Sequence, residues 1–179
     1  MNSALRTFTV VALAALLPSQ AMAQAKPCLT EREVAQIAIY SVPAAVEGVR
    51  AKCANRLSSN GFLATRGNAF AARYAALQAE TWPTAKAGVL RVIGSQATGA
   101  QSTGPAAMFA ALPDESVRPL VDAIIAQKIG ESIKPAECAN VERGMQIASA
   151  LAPRDSGAMI AFVLAMIKPR NLAMCPAQS

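Results

Sequence analysis

Apolar residues recur along this chain at intervals of three and four, with no stretch of strict alternation, and that period predicts helices. Thr30 and Glu33 have the spacing of a capping box, so a first helix is expected from about Glu31 to Ser41, with Val34, Ile37 and Ser41 on one side. Pro43 should kink or restart it. A second helix follows to about Leu57 on a stripe of Val42, Val46, Val49, Cys53 and Leu57, and Ser58-Ser59-Asn60-Gly61 stops it. Asn68 can cap a third helix bearing Phe70, Tyr74 and Leu77. Trp82-Pro83 marks a corner, where the tryptophan is expected to plug a helix junction. A fourth helix, about Pro83 to Ile93, turns Ala85, Val89 and Val92 inward.

The pattern then lapses. Residues 94–104 carry no charge and no large side chain and read as a mobile loop. A short helix over Pro105 to Leu112 presents Met108 and Phe109. Asp114-Glu115 opens the next, since carboxylates favour the positive end of a helix. Pro119 should interrupt it, Val117, Val121, Ile124 and Ile125 should face inward, and Lys128 with Gly130 should close it. The last two helices are expected over about Pro135 to Ala152 and Asp155 to Ile167. The segment Ala158–Ile167 is apolar all round, which predicts a central core helix in which Met159, Met166 and Phe162, together with Met145, fill the interior. Lys168-Pro169-Arg170 stops it. The fold class that follows is all-α, a single exported domain over residues 24–179 of six to eight helices built around helical hairpins.

The N-terminal segment reads as targeting rather than structure. Arg6 is followed by the apolar run Phe8–Leu17, then Pro18 and the small-residue site Ala21-Met22-Ala23, so residues 1–23 resemble a signal peptide cleaved after Ala23. The run is too short to span a bilayer, which takes about 20 residues. Lipidation at Cys28 is disfavoured by the lysine and proline directly before it. The expected location is the periplasm, with no transmembrane span in the processed chain.

Composition narrows the chemistry. Alanine supplies 40 of the 179 residues, in keeping with helix, and histidine supplies none. That excludes Ser-His-Asp and Cys-His pairs, a histidine base and a histidine-bearing zinc site. The four cysteines, Cys28, Cys53, Cys138 and Cys175, survive processing and contain no C-x-x-C pair, so two disulfides are expected and no metal. Four cysteines allow three connectivities. An internal echo favours one of them: Cys28 precedes Pro43 by fifteen residues and Cys138 precedes Pro153 by fifteen, each with Gln-Ile-Ala eight after the cysteine. Hairpins cornered at the two prolines would pair Cys28 with Cys53 and Cys138 with Cys175.

The net charge of +6 falls to +5 after processing, because Arg6 alone is lost. Between Val49 and Leu77 the charged residues are Arg50, Lys52, Arg56, Arg66 and Arg73, with no acid among them. They are a candidate surface for an anionic envelope partner such as a lipid headgroup; nucleic acid is not expected in an exported chain with few aromatics. No serine lies in G-x-S-x-G or S-x-x-K, and Gly99–Gly104 lacks the Lys-Ser/Thr ending of a phosphate loop. Of the carboxylates, Glu31 and Glu33 read as capping groups, while Glu115, Asp122, Glu131, Glu137 and Glu142 could serve an enzyme acting on glycan or peptidoglycan if two of them converge. The reading these residues support first is a non-catalytic binding or interaction protein without cofactor, its ligand apolar or anionic, since a core rich in Ala, Met and Val can leave a pliable cavity. A structural or stress protein acting by protein contact is the other alternative, and its mark would be an exposed apolar patch.

Overall fold

The computed structural model describes residues 28–96, 105–169 and 172–176, without the side chains of residues 92–96 and 105–107. The expected signal peptide therefore lies outside the described residues, as do Val92's side chain and residues 97–104 of the expected loop. Among the described residues the fold is all-α: α1 (Glu31–Cys53), α2 (Phe62–Thr65), α3 (Gly67–Ala75), α4 (Gln78–Gln96), α5 (Pro105–Ala111), α6 (Asp114–Ser132), a 3-10 turn (Pro135–Glu137), α7 (Cys138–Ala148) and α8 (Pro153–Ile167). Among the described residues no helix is long and apolar enough to cross a membrane.

Helix α1 is the axis of the molecule. It packs against α3, α4, α6, α7 and α8, and it buries Val34, Ile39, Tyr40, Ala44, Val46, Gly48, Val49 and Cys53. Its start is the predicted capping box: the Thr30 hydroxyl accepts from the Glu33 amide at 3.2 Å, and the Thr30 amide donates to the Glu33 carboxylate at 2.9 Å. Pro43 does not break it. A proline inside a helix forfeits one backbone hydrogen bond and costs about 3 kcal/mol, but here the flanking turns are buried on several sides at once, and that burial outweighs the cost. Helices α4 and α6 likewise run on uninterrupted through Pro83 and Pro119; around Pro119 the buried contacts are those of Val117 and Val121. Asn68 is not a cap; it lies in the first turn of α3, where its Oδ1 accepts from Arg50 at 2.5 Å.

A continuous α1 overturns the expected disulfide pairing. Twenty-three residues at 1.5 Å rise span roughly 34 Å, so Cys28 and Cys53 sit at opposite ends of one rod, whereas bridged Cα atoms lie within about 7 Å. The observed bonds are Cys28–Cys175 and Cys53–Cys138, with Cα separations of 5.0 and 5.7 Å. One ties the two ends of the described chain together. The other pins the far end of α1 to the start of α7. Two such bonds are the mark of an oxidising compartment.

Helix α8 is the second correction. It lies against α1, but its inward face is made of small residues: Ser156, Gly157 and Ala161 are buried. A Cβ on Gly157 would stand 2.8 Å from the Ala35 carbonyl oxygen and 2.7 Å from Ile39 Cγ1, so the two helices approach backbone to side chain. The large residues expected to fill the core point outward instead; Phe162 and Met166 are 56% and 66% exposed. Only Met145, on α7, packs on the core as expected.

The interior divides into three neighbouring clusters along α1. The largest joins Val46, Val49, Phe62, Leu63, Phe70, Tyr74 and the buried Cys53–Cys138 bond. Phe70 stacks edge-on with both Phe62 and Tyr74, at centroid distances of 5.8 and 5.1 Å. A second joins Tyr40, Trp82, Ala85, Val117 and Val121. Trp82 is the expected plug, 1% exposed, lying 5.2 Å from the Tyr40 ring and under the Arg118 guanidinium. The third, Leu29, Val34 and Ala161, fastens the end of the chain.

Candidate functional site

An apolar groove lies where α1, α4, α5 and α6 meet. Ile37 comes from α1, Val89 and Leu90 from α4, Phe109 from α5, and Val117, Val121, Ile124 and Ile125 from α6; Leu29 and Leu172 close one end. The groove encloses about 400 Å³, within the range of small-molecule sites. Its walls are aliphatic and aromatic, and the charged groups that reach it are Lys86 and Lys128. Val89, Val117, Val121, Ile124 and Ile125 are the residues whose helical spacing faced them inward, and Phe109 joins them from the short helix α5. They stop short of filling the space between helices, and that shortfall is the groove.

Its end wall is held by a polar clasp. Leu29 pairs with the C-terminal segment as a short parallel bridge, its amide donating to Ala173 O at 2.8 Å and its carbonyl accepting from the Cys175 amide at 2.9 Å. The Cys28–Cys175 bond covers the same junction. Arg91 of α4 pairs with Glu33 at 2.5 Å and donates to the Cys28 carbonyl at 3.3 Å. The Arg91 hydrogen bond, opposed by partial burial and supported by Thr30, pulls the Glu33 carboxyl from 4.5 down to about 2. A depressed folded-state value means that Glu33 stabilises the fold fully above its unfolded value near 4.5, and that the contribution is lost as pH falls toward 2. Replacing Glu33 by glutamine is therefore expected to lower stability at pH 7 by about 1–2 kcal/mol, with discount for the partly exposed arginine. Thermal melts from pH 7 to pH 2 should show the variant and the parent converging at the acid end.

Lys86 and Lys128 differ in their commitments. Lys86 is mostly buried and meets Asp114 at 2.8 Å, holding that carboxyl below its usual value. Lys128 is 70% exposed and pairs at 2.8 Å with Glu131, its neighbour on the same helix turn. An exposed pair of that kind contributes little to stability, so Lys128 can exchange Glu131 for an incoming anion at little cost.

A second groove, polar and more open, lies between α1, α3 and α6, with Glu47, Arg50, Asn68, Gln78 and Asp122 among its walls. Burial pushes the Asp122 carboxyl up, opposed by the nearby Tyr40 hydroxyl and Arg118. Burial likewise raises Tyr40, reinforced by Asp122. The two groups face each other without closing a hydrogen bond of good geometry: Tyr40 Oη and Asp122 Oδ1 are both buried and unpartnered among the described residues.

The other candidate carboxylates are dispersed. Glu142 accepts from the Leu63 amide at 2.8 Å and ties α2 to α7. Glu137 accepts from the Lys134 amide at 3.2 Å, and Glu131 is held low by Lys128. Glu115 is exposed in the first turn of α6. Asp122 alone of these five opens into the polar groove, where the other carboxylate is Glu47.

The basic stretch is largely engaged with its own chain. Arg50 donates to Asn68 Oδ1 and Leu63 O, Arg73 donates to the Ser149 and Leu151 carbonyls, and Arg66 lies over the Phe62 ring. Lys52 and Arg56 are exposed. None of the five lines the apolar groove. Sequence spacing marked charge without marking what the charge would meet; the carbonyls that Arg73 binds come from a loop 76 residues away. Among the described residues no group of acids and cysteines is arranged to hold a metal ion. The chain matches no protein-family model, and neither a curated protein nor a solved structure shows significant similarity to it.

Proposed function

We propose that this chain is a non-catalytic, exported binding protein of the periplasm that holds one apolar chain with an anionic end in the groove between α1, α4, α5 and α6. The observation that carries the reading is the chemistry of that groove: aliphatic and aromatic walls, with two lysines as the charged groups that reach it. Apolar walls supply affinity in proportion to the area they dry, and a few polar groups orient the ligand. Lys128 meets the anionic end, and Glu131 is the partner it gives up. The signal-like segment Arg6 to Ala23 supports export, and two disulfides belong to the compartment that export reaches. The missing histidine and the lack of a serine-nucleophile motif turn the weight from catalysis to binding.

A fluorescence titration of the delipidated protein with cis-parinaric acid tests this. The parent should bind saturably. Ile124 lines the groove but is 41% exposed, so Ile124→Glu should leave the fold intact while placing a carboxylate on the apolar wall. It is expected to weaken binding roughly tenfold or more, the equivalent of about 1.4 kcal/mol. Lys128→Glu should weaken the acid while sparing the corresponding alcohol. Unsaturable binding by the parent, or indifference to Ile124→Glu, would remove the proposal.

A further inference from the structure

Among the described residues nothing packs on the outer, apolar face of helix α8, and we infer that it is the contact through which two copies of this chain associate about a two-fold axis. From Ser156 to Ile167 the helix contains no ionisable residue. Its small residues face α1, and Met159, Ile160, Phe162, Val163, Met166 and Ile167 are all exposed. Together these six make a patch of roughly several hundred Å², at the upper end of what a monomer shows. None of the six lines the apolar groove.

The stripe is built for another helix. Asp155, Met159, Phe162 and Met166 follow at intervals of four, three and four, the seam spacing of helices that cross at a shallow angle. Unbranched methionines let such a seam adjust to its partner. The ends of the stripe say which partner. Asp155 is exposed in the first turn of α8 and Lys168 is exposed just past its end. In an antiparallel pair of α8 helices centred between Ala161 and Phe162, Asp155 of one copy comes level along the axis with Lys168 of the partner subunit, whose long side chain can reach towards it from the helix end, and symmetry repeats that approach. Phe162 then lies nearest the axis, with Met159 and Met166 on either side. An anionic lipid surface fits less well, because Asp155 stands in line with the apolar residues and Arg154 is already held by Glu80 through two hydrogen bonds.

Sedimentation velocity across about a hundred-fold range of concentration, on the purified chain with its disulfides intact, tests the inference. The parent should move from monomer to dimer. Phe162→Glu, at a site exposed in the monomer, should weaken the dimer roughly tenfold or more while the far-ultraviolet circular dichroism stays that of the parent. Asp155→Lys and Lys168→Asp should each weaken it by like-charge contact, and the double variant should restore it, which no effect on the monomer alone would do. Aspartate tolerates the left-handed backbone at position 168. A parent that stays monomeric, a Phe162→Glu dimer of parental strength, or a double variant without rescue each overturns the inference. So does a monomeric parent that co-sediments with phosphatidylglycerol vesicles, which would assign the face to a lipid surface instead. Fatty-acid binding in the groove is scored separately and is unaffected by either outcome.

Discussion

Replacing Cys53 and Cys138 together by alanine is expected to lower the stability of the fold by about 4–5 kcal/mol. The bond closes a sequence span of 85 residues. Cross-linking a loop of that size removes chain entropy from the unfolded state worth about 4.5 kcal/mol on the chain-entropy account. Both cysteines are also fully buried in the main core cluster, so their loss adds a packing defect to the entropy term. For a chain of this length the expected fall in melting temperature is roughly 10–15 °C, by calorimetry under non-reducing conditions. Peptide mapping of the parent without reduction should recover Cys53 joined to Cys138 and Cys28 joined to Cys175. A double variant that melts with the parent would show that neither the entropy nor the packing argument holds at this site.

The second large effect is a glycine whose substitution has the opposite sign from an ordinary helical one. Gly48 lies at the crossing of α1 and α6. A Cβ there would overlap the Ala126 carbonyl oxygen and stand 2.9 Å from its carbon, and these are backbone atoms that cannot turn aside. Gly130, on the facing helix, stands 3.3 Å by the same measure from the Gly48 carbonyl oxygen. Alanine in place of a helical glycine ordinarily adds about 1 kcal/mol. At position 48 the helices must part, and a net loss of about 2–3 kcal/mol is expected. Gly144 is the matched control: it is exposed on α7, and a Cβ there meets nothing within 4 Å. Gly144→Ala should gain about 0.5–1 kcal/mol. Urea titrations of the two variants should move their midpoints in opposite directions; a shared direction would mean that the helix crossing is more yielding than its geometry implies.

Gly130 also shows why some helix ends were misread. Behind Lys128 it has the look of a stop signal, yet α6 runs through it to Ser132. Glycine there makes room for α1. A single sequence shows only that a residue lacks a side chain, and not whether a turn or a neighbour requires the lack. The three internal prolines mislead in the same way. Each is a local cost visible in the sequence, offset by contacts with helices distant in the chain.

The apolar groove was half legible. Its lining on α4 and α6 follows from helical spacing alone, whereas the gap between the helices does not, because a gap depends on how closely whole helices approach. The expectation that methionines would make the cavity pliable was misplaced: Met159 and Met166 are on the surface of α8, and the groove is walled by valine, isoleucine, leucine and phenylalanine. The arginines of the basic stretch were legible as charge and illegible as contacts.

What the chain determines by itself is its class. Alanine content, helical period, the capping box at Thr30 and the scarcity of alternating stretches dictate helices, because these preferences act within a turn or two of backbone. Even the cysteine count sufficed to expect two disulfides. Which cysteines join, which face of α8 is buried, and where a cavity opens were decided only by the packing of α1 through the middle of the others. Those outcomes depend on distances between residues far apart in sequence. An apolar run reads the same whether it is wrapped by its own chain or turned outward; in α8 the buried face went to Ser156, Gly157 and Ala161, because only small residues let two helices come that close.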